Sequence, residues 1–165
     1  MLPDHVAPGL DILFCGTAPG RMSADRGHYY ARPGNRFWQL LAETGLTPRR
    51  LAPDDDALLP GLGLGLTDLA QGVAGQDAAI PPGAYAPARL AALVARVRPR
   101  ALAFTSLTAA RLALGAPRLG TGRLAPDPRF GHAVLWALPS PSGLARSHFS
   151  ADPWHALAAW KRSLA

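Results

Sequence analysis

Apolar runs ending in glycine or proline alternate along this chain with stretches of helical periodicity. Asp11-Ile12-Leu13-Phe14-Cys15-Gly16 is a short, continuous apolar run closed by Gly. Such a run predicts a buried parallel strand. Glycine and proline then dominate from Thr17 to Gly34, which reads as a loop. Asn35 stands at the N-cap of a helix predicted to reach about Thr44, with Phe37, Leu40 and Leu41 on one face. Leu64 to Leu69 predicts a second strand, with Thr67 and Asp68 at its end. Pro87 suits a first helical position, and Leu90, Leu93, Val94 and Val97 follow as an apolar stripe. A third strand is predicted over Ala101 to Thr105, a short helix over Ala109 to Leu114, and a fourth strand over Val134 to Leu138. Asp152 is expected to cap a last helix bearing Trp154, Leu157 and Ala158.

Strands alternating with helices define an α/β fold with a parallel sheet. Neither a repeat nor a linker interrupts the pattern, so residues 1–165 read as one domain. The stretch from Gly115 to His132 shows no clear element. It is long for a structureless loop in a compact domain, and a hidden hairpin is the alternative. In sheets of this kind, ligands bind beyond the carboxyl ends of the strands. Three segments fall there: Gly16 to Asn35, Thr67 to Gln71, and Pro139 to Phe149.

Composition narrows the classes. Of 165 residues 48% are hydrophobic and 17% charged, which is enough to bury a sizeable core. The net charge of +6 favours an acidic partner, nucleic acid first among them. The basic residues are nearly all Arg and the chain is rich in Ala, Gly and Pro, so coding bias is the competing source of that charge. The single cysteine, Cys15, excludes an intrachain disulfide and any zinc or iron–sulfur site built on several thiolates. Its apolar neighbours predict a buried, inert thiol. The first residues lack the pattern of a signal peptide, and no apolar run has the length of a membrane span. A cytoplasmic location without membrane partners is the expectation.

The chemistry should come from the three loops. In the first, Gly16-Thr17-Ala18-Pro19-Gly20 turns sharply out of the strand and offers backbone N–H groups to an acceptor. It lacks the Gly-Lys-Ser/Thr ending of a phosphate-binding P-loop. Further on, Tyr29 and Tyr30 offer flat faces for a planar ligand, among Arg21, Arg26, Arg32 and Arg36. Arginines interleaved with aromatics suit a nucleobase and its phosphate backbone. The third loop, Pro139-Ser140-Pro141-Ser142-Gly143-Leu144-Ala145-Arg146, is stiffened by proline and carries one apolar residue, Leu144, at its tip. An apolar wedge is what a protein needs to fill the gap left when a base is drawn out of the stack.

These motifs together resemble the mismatch-specific uracil/thymine-DNA glycosylases. The likeness rests on Gly16-Thr17-Ala18-Pro19-Gly20, on the run from Gly27 through Tyr30-Ala31 to Pro33-Gly34-Asn35-Arg36-Phe37-Trp38, and on Pro141-Ser142-Gly143-Leu144-Ala145-Arg146. Ala7-Pro8-Gly9-Leu10 and Gly45-Leu46-Thr47-Pro48-Arg49 are similar as well, so the likeness runs from about residue 5 to 160. It implies a central four-stranded parallel sheet flanked by helices, and hydrolysis of an N-glycosidic bond without metal or cofactor. DNA is the implied partner: a duplex with a mismatched or damaged base, or a single strand. A monomer is the expected acting form. By position, Tyr30 matches the aromatic that stacks on the flipped base, and Gly16 and Thr17, with Ala18 beside them, match the turn that contacts it. Ser142, Gly143, Leu144 and Arg146 match the loop that enters the DNA.

One position departs from that family. Its third motif residue is typically an Asn that positions the attacking water, and here it is Ala18. Either activity is lost or another side chain does this work. Asp68 is the substitute favoured here, where the family more often has an amide or a basic residue. A carboxylate beside the pocket can stabilise an oxocarbenium-like sugar and orient water. Asp25, in the first loop, is the rival; a strand end holds a side chain more firmly than a loop does. Plainer roles stand beside these. Asn35 reads as a helix cap before a ligand contact. Tyr29 and Tyr30 could be packing aromatics, and Asp68 a turn cap. His28, His132 and His148 read as surface or hydrogen-bonding residues, with a phosphate contact as the alternative for His148. Trp38, Trp136, Trp154 and Trp160 read as packing residues. No Lys lies in the motif loops to form a Schiff base, which argues against a lyase step. Competing functions are an inactive DNA-damage or nucleotide-binding module, and a glycosylase for hypoxanthine, xanthine or a modified pyrimidine.

Overall fold

The computed structural model describes residues 2–70, 72–143 and 149–164. Its strands are β1 (Ile12–Gly16), β2 (Leu64–Asp68), β3 (Ala101–Phe104), β4 (Gly122–Arg123) and β5 (Val134–Ala137). They form a five-stranded sheet in the order β2-β1-β3-β5-β4. β2, β1, β3 and β5 run parallel, with Ile12 paired to both Leu64 and Ala101, and Ala101 to Val134. The helices are α1 (Arg21–Arg26), α2 (Phe37–Glu43), α3 (Pro87–Val97), α4 (Leu107–Leu114) and α5 (Asp152–Arg162).

The strands read as unbroken apolar runs because both faces of the sheet are covered. Successive side chains of β1 point to opposite faces. Ile12 and Phe14 enter one core with Phe37 and Leu41 of α2 and Trp154 and Leu157 of α5. Leu13 and Cys15 enter the other with Leu90 and Val94 of α3 and Ala110 of α4. The result is the three-layer α/β arrangement, with Cys15 fully buried as expected.

The expected four-stranded sheet gains a fifth strand. β4 lies antiparallel on β5, Gly122 opposite Ala137, so the stretch from Gly115 to His132 supplies one strand of a hairpin whose other strand is β5 itself. Two residues carry too little pattern to be read as a strand, and only the paired backbone of β5 makes them one. The loop from Thr17 to Gly34 also holds a helix, α1, which ends on Gly27 in the left-handed conformation (φ +75°). At α2, Arg36 holds the cap position predicted for Asn35, and Asn35 Oδ1, one residue earlier, accepts the Phe37 N–H at 2.9 Å. At α5, Asp152 occupies the first turn instead of the cap, and Ser150 Oγ accepts the Asp152 N–H at 3.2 Å.

Residues 2–5, where sequence periodicity says nothing, are tied to the edge of the sheet. His5 N–H donates to Leu66 O at 3.0 Å, and Leu66 N–H returns to His5 O at 2.9 Å.

Phe37 joins fold and site. It meets Phe14 edge-on at 5.4 Å and Trp38 at 5.2 Å, and lies beneath Tyr30 with ring centroids 4.0 Å apart. Phe37→Ala is therefore expected to destabilise the protein by roughly 3–5 kcal/mol, read from urea unfolding. A loss under about 1 kcal/mol, the scale of a volume-conserving swap, would mean that this aromatic cluster is not the keystone of its face.

Candidate active site

At the carboxyl end of the parallel strands lies a cleft of about 470 Å³. It is lined by the first loop (Gly16, Thr17, Ala18, Tyr30), by Asp68 at the end of β2, by Thr105 after β3 and by Ser142 of the third loop. Sequence reasoning had assigned all of these but Thr105. Gly143 lies next to the cleft, so close to the first loop that a Cβ there would stand 3.2 Å from Gly34 O. Leu144 and Arg146 lie outside the described residues, as does His148.

Gly16 sits at the convergence point. A Cβ on it would lie 2.7 Å from Asp68 Oδ1, 3.3 Å from the Tyr30 hydroxyl and 3.4 Å from Thr105 Oγ1. Parallel register sets Gly16 beside Asp68, and Leu69 N–H donates to Gly16 O at 2.8 Å. Tyr30 OH and Thr105 Oγ1 are 3.0 Å apart and share a hydrogen bond. Three polar groups from three elements thus gather over one residue without a side chain.

Asp68 is 5% exposed. Burial, and then the negative charge of Asp4, raise its pKa from the ordinary 3.8 to about 7, against the opposing effect of Arg89. Its carboxyl is therefore poised near neutrality, as a general base requires. The rival Asp25 lies on the exposed surface of α1 and is absent from the cleft wall. Of the candidate carboxylates, the fold brings Asp68 to the pocket and leaves Asp25 outside.

Tyr30 adopts the left-handed conformation (φ +52°), which is unusual for a bulky residue and costs of order 1–3 kcal/mol. Its surroundings hold it there. Tyr29, immediately before it, is locked by Asp56, whose Oδ2 accepts the Tyr29 N–H at 3.1 Å. Tyr29 O accepts the Trp38 indole N–H at 3.1 Å, and its hydroxyl donates to Pro3 O at 3.0 Å. His28 Nδ1 stands 3.1 Å from Asp56 Oδ1, and His5 Nε2 3.4 Å from Oδ2. Tyr29 is thus a buried strut that also lines the cleft, His28 a hydrogen-bonding residue, and Tyr30 the aromatic whose hydroxyl meets Thr105 over Gly16.

Of the four loop arginines, Arg32 lines the cleft. Arg26 turns back on Ala31 O, Arg21 lies on the exposed surface of α1, and Arg36 supports the third loop. The Arg36 N–H donates to Pro141 O at 2.9 Å, and its guanidinium lies 3.8 Å from the centre of the Phe149 ring. Ala18 lines the cleft and offers no donor or acceptor beyond its backbone.

Leu2, Asp77 and Thr105 are among the contributors that apolar residue pattern does not point to. Leu2 reaches the cleft from the N-terminal segment. Asp77, on a short 3₁₀ turn, accepts a 2.6 Å hydrogen bond from Thr17 Oγ1. Thr105 had been placed as the last residue of a strand, without a role. The polar, glycine-containing run Gly72 to Asp77, directly after a strand's carboxyl end, was the legible signal for the second. Among the described residues, no three His, Cys, Asp or Glu side chains gather as a metal site.

The raised pKa of Asp68 has a consequence for stability. A carboxyl lifted from 3.8 to about 7 on folding contributes stability fully present below about pH 4 and lost as pH rises through 7. Asp68→Asn has no charge to desolvate. Its melting temperature should rise relative to the parent protein between pH 4 and 7, by the equivalent of roughly 2–4 kcal/mol at neutral pH. A difference that stays constant over that range would mean the carboxyl is not desolvated.

A solution NMR structure of a protein from Methanosarcina acetivorans, provisionally described as a uracil DNA glycosylase, superposes on this fold with a TM-score of 0.70. The match covers 99% of this chain and 96% of that one at 22% identity, a likeness of fold. The family model for the uracil DNA glycosylase superfamily matches residues 3–163. With nearly the whole chain matched, the protein belongs to the uracil DNA glycosylase superfamily.

Proposed function

We propose that the protein is a monofunctional DNA glycosylase that draws uracil out of a mismatched duplex, or takes it from a single strand, and hydrolyses its bond to deoxyribose. The observation that carries this reading is the buried Asp68 carboxyl, held beside Tyr30 and Thr105 over Gly16 in a cleft with room for a flipped nucleotide. Superfamily membership supports the same chemistry.

The steps follow from the residues. The flipped base enters the cleft against Tyr30, whose ring is backed by Phe37. The turn at Gly16, Thr17 and Ala18 offers backbone groups to its polar edge. As the C1′–N1 bond breaks, its electron pair leaves with the base and positive charge develops on the sugar. Ionised Asp68 stabilises that charge and takes a proton from the water that attacks C1′. The products are the free base and an abasic site. Asp68 takes over the work that an Asn at the position of Ala18 would do. On the DNA side, Leu144 is the wedge that fills the vacated stack, Ser142 and Gly143 form the approach, and Arg146 contacts a phosphate. The mismatch-specific motifs of the first and third loops support G·U as the substrate.

Single-turnover excision from a G·U duplex, followed by alkaline cleavage of abasic sites, tests this reading. Asp68→Asn should slow the chemical step by roughly 10²-fold or more, with DNA affinity held or raised. Asp25→Asn should excise at close to the parent rate. A dead Asp25→Asn beside an active Asp68→Asn would move the chemistry to the first loop. No release from G·U, A·U or single-stranded uracil at high enzyme excess would favour an inactive binding module, the reading that Ala18 suggests. Release of hypoxanthine alone would change the base and keep the reaction.

Leu144→Ala should impair excision from the duplex more than from single-stranded DNA. A wedge acts only where a stack must be held open, and unstacking costs about a few kcal/mol. Equal losses on both substrates would remove that role.

A further inference from the structure

Behind the catalytic carboxyl lies an ion pair that no motif announced. The bridge between His5 and Leu66 sets the N-terminal segment alongside β2 and brings Asp4 next to Thr67. Thr67 Oγ1 donates to Asp4 Oδ1 at 2.6 Å. Arg89, on the first turn of α3, pairs with the other Asp4 oxygen. Its Nη1 also donates to Thr67 Oγ1 at 3.3 Å and to the backbone carbonyl of Asp68 at 3.4 Å. The pair is drawn in from solvent, with the Asp4 side chain 16% and the Arg89 side chain 33% exposed. One bonded cluster thus joins the N-terminal segment, the end of β2 and the start of α3 at the residue proposed to do the chemistry.

We propose that Asp4 and Arg89 are positioning residues that hold the end of β2 and together set the charge on Asp68, and with it the pH range in which the enzyme works. The inference rests on the reading of Asp68 as the catalytic carboxylate.

Among the described residues, Cys15, Tyr29, Tyr30, Arg32 and Asp77 carry no charge near Asp68 that solvent does not screen. Cys15 on β1, and Tyr29 and Tyr30 on the first loop, also interact electrostatically with it. Burial is the largest cause raising each of their pKa values, so all three stay uncharged through the neutral range. Arg32 and Asp77 are exposed at the mouth of the cleft, where solvent screens them. Asp4 and Arg89 act on Asp68 with opposite sign, the acid raising its pKa and the guanidinium lowering it. Each partner therefore cancels part of the other's field. Removing one exposes the other.

The experiment is the pH dependence of single-turnover uracil excision, read beside the titration of Asp68 itself by NMR of carboxyl-labelled aspartate. The Asp68 resonance is assigned by its loss in Asp68→Asn. In the parent protein, excision should rise with pH through a midpoint near the Asp68 value of about 7. Asp4→Asn should move that midpoint to lower pH by about one pH unit, making excision at pH 6 about fivefold faster. Arg89→Gln should move it upward and slow excision at pH 7 about fivefold. The double variant should return towards the parent midpoint, and Asp4→Glu, which keeps the charge, should stay close to it. Single variants that lower the plateau at high pH while both midpoints stay fixed would overturn the proposal and leave the pair a structural brace. An Asp68 resonance that moves in opposite directions without the rates following would uphold the tuning and overturn the catalytic assignment of Asp68. Should Asp4→Asn fail to fold, Arg89→Gln and Arg89→Lys carry the test. The first should shift the midpoint upward, the second should hold it, and equal midpoints for the two would overturn the proposal.

Discussion

At the end of β1 a side chain is missing, and three polar groups stand around the place it would fill. Asp68, Tyr30 and Thr105 come from different elements and would each crowd a Cβ on Gly16. This close approach is possible because parallel register aligns the ends of β1 and β2, while the backbone bond from Thr105 N–H to Cys15 O aligns β3 with them. The same packing desolvates Asp68. A carboxylate at a loop tip would titrate in the usual range and make a poor base at neutral pH. Here the close packing over Gly16 and the raised pKa of Asp68 have one cause.

The wall opposite Asp68 depends on a second set of buried polar groups. Tyr30 sits in a backbone conformation it would not choose alone, and the bonds to Asp56, Trp38 and Pro3 that fix Tyr29 hold it there. Phe37 then backs the Tyr30 ring. Since Phe37 also packs on Phe14 and Trp154, the aromatic face of the cleft is continuous with the core. As the proposed stacking surface, a ring anchored in this way would lose little freedom when a base arrives, which favours binding.

Much of this was legible in the sequence wherever local pattern and burial agree. The four parallel strands are runs of apolar residues because the sheet is covered on both faces. The helix stripe from Leu90 to Val97 follows from spacing and residue type alone. Asp68 could be placed at the mouth of a pocket because strand ends in parallel sheets face ligand clefts. Signals that need a partner from elsewhere in the chain were hidden. β4 is a strand only through its pairing with β5. Asp4 and Leu2 carry no periodicity and gain their place from one backbone bridge to β2. Ala151 holds the cap position predicted for Asp152 because α5 starts on Asp152 itself, and the Ser150 hydroxyl one residue earlier receives the Asp152 N–H. Thr105 reads as the last residue of a strand, and its hydroxyl matters only once Tyr30 has been folded over it.

On the proposed reading, the exchange of an amide at the position of Ala18 for a carboxylate at Asp68 is more than a change of address. An amide in the first loop orients water without titrating, so its action is indifferent to pH. A buried carboxylate adds a full negative charge opposite the developing sugar cation and a site for the water's proton, and brings with it a dependence on protonation. Desolvation alone favours the neutral acid, which could neither stabilise a cation nor accept a proton. A cation near the strand end is then required to keep the ionised form within reach of neutral pH, and Arg89 stands there. An unpaired guanidinium half-withdrawn from water would itself be unfavourable, and Asp4 balances it. The carboxylate, the guanidinium and the second carboxylate thus follow one from another. If the chemistry has moved from a loop amide to a strand-end acid as proposed, the N-terminal segment becomes part of the site.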